Sequence, residues 1–352
     1  MFCVCDEYKA DIEYITNLDL NWLELKNCTI LITGASGMIG TVIIDVLMYL
    51  NLYKKYNVKI LALSRNKKRM IERFADYEGD SHLVFYQSDV GIEIPELPSV
   101  DYIIHAASNT HPKLYAQDPV GSITTNILGI YHLLEFAKNK PVKKFLCVSS
   151  VEVYGKALVA DDIFDESYCG YIDCNSLRAG YPESKRLSES LCQAYKEQYG
   201  IDFVTCRLSR VYGPTMRMDD SKAMSQFIIN AVQKKDIVLK SEGNQRYSYI
   251  HVIDCVSAIC YLLLKGISGN TYNVAADEIP ESLKNIARFL AEEVGVDVVF
   301  DIPDSIEKKG YSSADIAVLS TEKIKKLGWN NKYNIYAGLR ATLRCLKINK
   351  RN

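Results

Sequence analysis

The chain has 352 residues, of which 48% are hydrophobic and 24% are charged, and its formal net charge is −1. This ordinary composition excludes long disordered tracts, and the lack of a basic excess argues against a general nucleic-acid-binding protein. No apolar run reaches the roughly 20 residues that cross a membrane, and the first residues are too acidic for a secretory signal. We therefore expect a cytoplasmic protein with neither nucleic-acid nor membrane partners.

The chain contains eleven cysteines, which form neither an even framework nor repeated pairs at metal-binding spacing. Cys3 and Cys5 are followed by no second pair that would complete a zinc site. His105, His111 and His251 are far apart and lack the spacing of metal ligands. We expect no metal, structural histidines, and buried cysteines that stay reduced.

Residues 1–27 are expected to form an N-terminal extension with a structural role, because Ile12, Ile15 and Leu18 recur at helical spacing. The apolar, β-branched run over 28–33 then predicts a buried strand. A glycine-rich turn, a helix over 41–50 and a strand over 58–63 follow. A strand, turn, helix and strand within little more than thirty residues indicate a βαβ unit.

Strands and helices continue to alternate as far as residue 206. Further strands are predicted at 83–86, 102–105, 144–148 and 202–206, and longer helices at 123–138 and 181–199. This alternation predicts an α/β protein with a Rossmann-type, doubly wound parallel sheet. We expect a dinucleotide-binding domain over 28–206, with a return near 249–265, and a smaller C-terminal substrate-binding lobe over 207–345.

Gly34, Gly37 and Gly40 form a GxxGxxG motif between the first predicted strand and helix. The three glycines suit a tight turn, a close approach of the backbone to a pyrophosphate, and close packing of helix and strand. The free N–H groups at the start of the helix would attract the phosphates. The expected cofactor-binding residues in this turn are Gly34, Ser36, Gly37, Met38, Ile39 and Gly40.

The second strand ends in Ser64 and Arg65, where folds that bind NAD usually carry an acidic residue. A carboxylate there would repel a 2′-phosphate, whereas Ser64 and Arg65 would accept one. The sequence therefore favours NADP over NAD. Asp89, after the next strand, is expected to contact the adenine.

Tyr181 and Lys185 form a YxxxK motif, which places both side chains on one face of a helix. The ammonium favours the phenolate form, so the tyrosine can serve as a general base. Tyr261 and Lys265 repeat the spacing, but they lie in an apolar stretch that indicates core packing. Tyr181 is preferred because Ser150 ends a strand before it, and hydroxyls at such ends face the ligand crevice of a parallel sheet.

Together these motifs resemble those of the extended short-chain dehydrogenases/reductases, the NAD-dependent epimerase/dehydratase family. The resemblance covers about residues 28–340 and rests on TGASGMIG (33–40), HAAS (105–108), SSVEVYG (149–155), YPESK (181–185), RLSRVYGP (207–214), NQRYSYIHVID (244–254), NTYNVA (270–275) and KKLGW (325–329). It implies oxidation of a nucleoside diphosphate sugar by a bound NAD(P). The base would be Tyr181, assisted by Lys185 and Ser150.

The same resemblance implies further contacts. Tyr181 and Lys185 would also touch the cofactor, as would Ala106, Ala107 and Ser108. Thr110, Arg210 and Arg246 would bind the substrate, Arg246 through its diphosphate, although many relatives carry an asparagine in place of Arg210. The segment 169–180 is longer than in shorter relatives and is expected at the rim of the substrate site. A homodimer is implied, formed through the helices near 123–138 and 181–199.

Glu152 lies in a stretch similar to that of nucleotide-sugar 4,6-dehydratases and UDP-glucuronate decarboxylases. In dehydratases a carboxylate at this position removes the C5 proton once C4 is a ketone. Val151 departs from the commonest dehydratase pattern, which has an aspartate before the glutamate. A sugar 4,6-dehydratase, a lyase, is the first expectation. The alternatives are a UDP-glucuronate decarboxylase, a 4-epimerase, an NADPH-dependent keto-sugar reductase and, outside enzymes, a cofactor-binding scaffold.

Overall fold

The computed structural model describes residues 5–109, 117–159, 162–276, 280–301 and 316–349. Its main sheet has seven strands, all parallel, in the order β12-β7-β5-β4-β1-β2-β3. These strands are β1 (Thr29–Thr33), β2 (Lys59–Ser64), β3 (Leu83–Gln87), β4 (Tyr102–His105), β5 (Lys144–Ser150), β7 (Phe203–Leu208) and β12 (Asn270–Val274). The sheet confirms the predicted Rossmann-type fold.

Helices cover both faces of this sheet because its strands are apolar on both sides. Ile30 and Ile32 of β1 face one core, together with helices α2 (Met38–Lys54) and α7 (Val252–Lys265), while Leu31 faces the other. That second core is closed by α4 (Pro119–Lys138) and α5 (Gly180–Tyr199). A short helix, α3 (Lys67–Arg73), follows β2. No helix in the described ranges is long and apolar enough to span a membrane.

A second, smaller lobe has its own buried core. Its helices are α6 (Ala223–Gln233), α8 (Leu283–Val294) and α10 (Ile335–Asn349), whereas the short helix α9 (Glu322–Lys325) packs on β12 and places Ile324 in the core of the main domain. Its strands are β6 (Ile163–Phe164), β9 (Ile237–Leu239), β10 (Arg246–Tyr247), β13 (Glu281–Ser282), β14 (Val298–Phe300) and β15 (Ile316–Leu319). They form one sheet in the order β13-β10-β15-β6 and a pair of β14 with β9. Strands β8 (Arg210–Tyr212) and β11 (Tyr249–His251) pair in parallel where the chain passes between the main sheet and this lobe.

Two strands lie outside the domain limits expected from the sequence. β12, which the prediction assigned to the second lobe, is the edge strand of the main sheet beside β7. Conversely, β6 lies within the range predicted for the dinucleotide-binding domain but pairs with β15 of the second lobe. The sequence did not show either, because Asn270–Val274 is half polar and β6 has only two residues, too few for any periodicity.

The N-terminal extension packs onto the main domain as a helix, α1 (Asp6–Thr16), and a 3₁₀ turn at Trp22–Leu25. Tyr8, Ile12 and Ile15 are fully buried, and the Tyr8 hydroxyl donates a hydrogen bond of 2.6 Å to the buried carboxylate of Asp45 in α2. These contacts agree with the predicted structural role.

The prediction that the cysteines are reduced and buried is wrong for four of them: two form a disulfide, and two are free but exposed. Cys5 and Cys345 form a disulfide between the start of α1 and the end of α10. The two residues are 340 positions apart, so no spacing rule could connect them. Cys169 and Cys174 are free but exposed. The remaining described cysteines are free and buried, as predicted: Cys28, Cys147, Cys192, Cys206, Cys255 and Cys260.

Candidate active site

The glycine motif forms a tight turn between β1 and α2. Gly34 has a φ of +68°, and a Cβ there would lie 2.7 Å from the Ala106 carbonyl oxygen. Gly37 is the N-cap residue of α2 and has no side chain to block the N–H groups that follow it in Met38 and Ile39. The turn thus fits a dinucleotide pyrophosphate, because bare backbone N–H groups and the helix dipole face the place where the phosphates would lie.

Strand β2 ends at Ser64, and Arg65 follows it, so this end of the strand carries a hydroxyl and a guanidinium group where a carboxylate is common. The Ser64 hydroxyl lies 2.8 Å from that of Ser36, so the end of β2 is joined to the glycine turn. Arg65 is half exposed and donates a hydrogen bond of 2.7 Å to Asn109, and its guanidinium lies 3.6 Å from the Asp89 carboxylate. The structure therefore brings Ser36 to Ser64 and Arg65 to Asp89 at the end of β2.

The segment after β4 runs beside the glycine turn. The Ala107 amide donates to the Thr33 hydroxyl at 3.2 Å, and the Ser108 hydroxyl donates to Asn126 of α4 at 2.8 Å. The Ala106 backbone passes close to Gly34, because a Cβ on this glycine would lie 2.7 Å from the Ala106 carbonyl oxygen. The segment is therefore held against both the turn and α4, at the predicted cofactor position. Thr110, the next predicted site residue, lies outside the described residues.

Tyr181 and Lys185 lie one turn apart at the start of α5, and the Lys185 side chain reaches β5. Gly180 allows α5 to pack closely against α4, because a Cβ there would lie 2.7 Å from Ile123 of α4. Both side chains are buried, and the Lys185 ammonium donates a hydrogen bond of 3.0 Å to the Val148 carbonyl oxygen in β5. Ser150, two residues further along β5, accepts a hydrogen bond from the Glu152 amide at 3.3 Å. The predicted phenol, ammonium and hydroxyl thus come from adjoining ends of α5 and β5.

Glu152 forms an ion pair that the sequence motifs did not indicate. Its carboxylate lies 3.1 Å from the guanidinium of Arg178, and the two side chains are only 22% and 13% exposed. Arg178 belongs to a 3₁₀ turn at Leu177–Ala179, just before α5, and its guanidinium lies 5.8 Å from the centre of the Tyr181 ring. The Arg178 guanidinium therefore lies near the Tyr181 ring and is paired with the Glu152 carboxylate. The only sequence signal for Arg178 was its position in the segment expected at the substrate rim.

Arg210 and Arg246, the two predicted substrate arginines, differ in their surroundings. The Arg210 guanidinium stacks on the ring of Tyr247 at 3.3 Å from its centre. Arg246 is exposed, whereas the neighbouring Tyr247 is buried, so the two side chains leave β10 on opposite faces. The structure therefore places Arg210 and Tyr247 together, and it does not bring Arg246 to the same face of this strand.

His105, His251 and Tyr261 lie in the interior of the protein. Burial lowers the pKa of His105 to about 3 and that of His251 to about 3, so both rings are neutral. His111 lies outside the described residues. Tyr261 of the second YxxxK motif is buried, and Lys265 donates to the Asp19 carbonyl oxygen at 2.9 Å, which confirms that this motif serves packing.

A doubly wound sheet with a glycine turn at its carboxyl edge defines the class of Rossmann-type dinucleotide-binding proteins. Residues 30–275 match the family model described as the NAD dependent epimerase/dehydratase family, and the chain belongs to this family. It is accordingly an enzyme of that family, as the motifs predicted.

Curated relatives include UDP-glucuronic acid decarboxylase 6 of Arabidopsis thaliana, which is 28% identical over 89% of this chain and 87% of its own length. Another is the dTDP-D-glucose 4,6-dehydratase of Dictyostelium discoideum, which is 30% identical over 70% of this chain and 58% of its own length.

Among solved structures, a dTDP-glucose 4,6-dehydratase from Streptomyces venezuelae with NAD bound superposes with a TM-score of 0.79 at 24% identity, covering 92% of this chain and 98% of that one. The UDP-glucuronic acid 4-epimerase of Bacillus cereus, in complex with UDP-glucuronic acid and NAD, gives 0.78 at 22% identity, with 91% and 99% covered. These two structures share the fold of this chain.

Proposed function

We propose that this enzyme oxidises a nucleoside diphosphate sugar at C4, breaks a bond at C6 of the resulting ketone, and returns the hydride to the product. The observation that carries the proposal is the grouping of Tyr181 and Lys185 with the Glu152–Arg178 ion pair at the ends of α5 and β5. A reversible oxidation needs only the phenol and the ammonium. A carboxylate beside them suits a second proton transfer, at the neighbouring carbon.

A nicotinamide dinucleotide, when bound at the glycine turn, would supply the reversible hydride acceptor that oxidation at C4 needs. Tyr181 takes the proton of the C4 hydroxyl, and the Lys185 ammonium, held by the Val148 carbonyl, stabilises the phenolate. The Ser150 hydroxyl holds the same substrate oxygen. These residues perform the part of the reaction that is common to all the enzyme alternatives.

The first candidate for the middle step is decarboxylation of a hexuronic acid. Once C4 is a carbonyl, the C6 carboxylate belongs to a β-keto acid. The C5–C6 bond breaks, its electron pair moves into the enolate on C4, and carbon dioxide leaves. C5 then takes up a proton from water, which the Glu152 carboxylate can relay, and the hydride returns to C4. The UDP-glucuronic acid decarboxylases among the relatives support this candidate.

The second candidate is 4,6-dehydration, the first expectation from the sequence. In this reaction Glu152 removes the C5 proton and the C6 hydroxyl takes up a proton and leaves as water. The hydride then returns to C6, and C5 takes up the proton that Tyr181 removed from the C4 hydroxyl. The position of Glu152 and the dTDP-D-glucose 4,6-dehydratase among the relatives favour it. Val151 lies where the common dehydratase pattern has its acid, and it is buried and apolar, so this residue donates no proton to the leaving hydroxyl.

The test is incubation of the purified enzyme with NAD or NADP and, separately, UDP-glucuronic acid, UDP-glucose or dTDP-glucose, followed by mass spectrometry. Loss of carbon dioxide from UDP-glucuronic acid supports the first candidate, and loss of water from a hexose supports the second. An unchanged mass with an altered sugar would show an epimerase, and a gain of two hydrogens a reductase. A protein that binds the cofactor but converts none of these sugars would contradict the proposal and favour a scaffold.

For the cofactor, we propose that NADP binds at least as tightly as NAD. Position 64 has no carboxylate to repel a 2′-phosphate, and Arg65 is half exposed at the same end of β2. The NAD in the structural neighbours argues the other way, so both dissociation constants should be measured by calorimetry. Arg65→Ala should weaken the binding of NADP more than that of NAD. Equal weakening of both would contradict a role of Arg65 in favouring NADP.

We also propose a homodimer formed through α4 and α5. The two helices pack together through a hydrogen bond of 2.8 Å between Asn126 and Ser184, yet they expose Leu128, Tyr131 and Leu187 to solvent. A second copy would cover these apolar side chains. Light scattering should give the mass of a dimer for the wild type and of a monomer for Leu128→Glu; a wild-type monomer would contradict the proposal.

A further inference from the structure

We infer that Arg178 recognises the group on C6 of the sugar and selects a carboxylate there, an inference that rests on the proposed function. The starting observation is the location of the Arg178 guanidinium. It lies 3.1 Å from the Glu152 carboxylate and 5.8 Å from the centre of the Tyr181 ring. This arginine lies outside the family motifs at 149–155 and 181–185 that flank it in the sequence.

The charged guanidinium of Arg178 is largely buried. An arginine stays protonated in proteins, so its largely buried guanidinium needs an anion beside it. Glu152 provides that anion in the structure. The guanidinium fork matches carboxylates in particular, because it donates two parallel hydrogen bonds to them.

The position of Tyr181 determines which part of the sugar Arg178 would meet. If the phenol takes the proton from the C4 hydroxyl, then C5 and its C6 substituent follow within one and two bonds of C4. A guanidinium beside the same ring is within reach of that substituent. A C6 carboxylate would pair with Arg178, whereas the hydroxymethyl group of a hexose would offer it no charge.

Glu152 and the substrate carboxylate would then compete for one cation. This competition gives the inference a signature that a purely structural ion pair lacks. Removing the arginine charge should weaken binding of the hexuronic acid. Removing the glutamate charge should strengthen it, because the guanidinium no longer holds a competing anion.

The experiment compares UDP-glucuronic acid with UDP-glucose, which differ only at C6, by calorimetry on the holoenzyme and by turnover. Arg178→Gln should weaken binding of UDP-glucuronic acid roughly ten- to a hundredfold, the usual effect of losing a charged hydrogen-bonded pair, and leave UDP-glucose nearly unchanged. Arg178→Lys keeps the charge and should recover part of the loss. Glu152→Gln should strengthen the binding of UDP-glucuronic acid severalfold. Arg340→Gln, which breaks an exposed pair of 2.7 Å with Glu293, is the matched control and should alter neither ligand.

The outcomes separate this inference from the proposed function. Equal weakening of both ligands by Arg178→Gln would overturn the inference and leave Arg178 as a support for Glu152. Equal affinity of the wild type for both ligands would also overturn it, even if Arg178→Gln does not fold. A wild type that binds UDP-glucuronic acid selectively through Arg178, but converts no sugar, would sustain the inference and contradict the proposed function.

Discussion

Replacing Gly40 by alanine should weaken cofactor binding through the backbone of the glycine turn. A Cβ at this position would lie 2.5 Å from the Gly34 carbonyl oxygen, 2.8 Å from that of Ala35 and 2.9 Å from the Ala35 Cα. All three atoms belong to the backbone, so no rotamer change can relieve the contact, and the turn must move away from α2. Overpacking of this kind costs about 1–3 kcal/mol. If this whole free energy opposes the backbone conformation that binds the cofactor phosphates, the affinity for the cofactor decreases by a factor of about 5 to 150.

The assay is calorimetric titration of Gly40→Ala with NAD and with NADP, at a temperature where circular dichroism shows the variant folded. Gly295→Ala is the matched control. Gly295 has a φ of +71° after α8 in the other lobe, and a Cβ there meets nothing within 4 Å. The control should lose some stability through backbone strain but keep its affinity. Unchanged dissociation constants for Gly40→Ala would show that this turn does not receive the cofactor.

Three further predictions address the base, a buried carboxylate and the N-terminal extension. Tyr181→Phe should lower turnover by roughly 10²- to 10⁴-fold with cofactor affinity almost intact, and retained activity would exclude the phenol as the base. Burial raises the pKa of Asp254 to about 7, so the folded protein holds its proton over a pH range in which the unfolded chain has released it. Between about pH 4 and 7, wild-type stability should therefore fall with rising pH relative to Asp254→Asn, by about 4 kcal/mol in urea denaturation; parallel curves would contradict this. Ile12→Ala, at a fully buried site in α1, should cost about 2–5 kcal/mol, whereas Leu23→Ala, at an exposed site, should stay within about 0.5 kcal/mol; equal effects would show that the extension is not packed.

The main sheet was predictable because its strands are short, apolar and regularly separated by helices. The structure adds β12 as a seventh strand, whose alternation of Thr271 and Asn273 with buried Tyr272 and Val274 is that of a half-polar strand. Asn273 nevertheless lies in the interior, where its amide donates to the Phe164 and Ser320 carbonyl oxygens at 2.8 and 3.1 Å. Its polarity is satisfied by partners more than forty residues away, and no local pattern could show that.

The candidate site likewise has residues that the sequence predicts well and residues whose position it does not predict. Tyr181, Lys185 and the glycines lie in motifs whose spacing alone dictates their geometry, on one helix face or in one turn. Arg246 shows the limit of such reasoning, because a two-residue strand leaves the direction of each side chain to the pairing of β10 with β13 and β15. A shift of one position exchanges the exposed and buried faces, and in this strand it is Tyr247 that faces Arg210.

The distribution of motifs also explains why the sequence left several reactions open. Removal of a hydride from C4 needs a phenol, an ammonium and a cofactor, and dehydratases, decarboxylases and epimerases all use those groups. These enzymes differ in what happens at C5 and C6, and in the proposed site the C6 substituent would meet Glu152 and the segment before α5. That segment is joined to the catalytic helix but lies outside the YxxxK spacing, so its arginine can change without disturbing C4 chemistry. The choice among dehydration, decarboxylation and epimerisation should therefore follow the charge beside Tyr181, and exchanging Arg178 should alter which sugar is used before it alters whether C4 is oxidised.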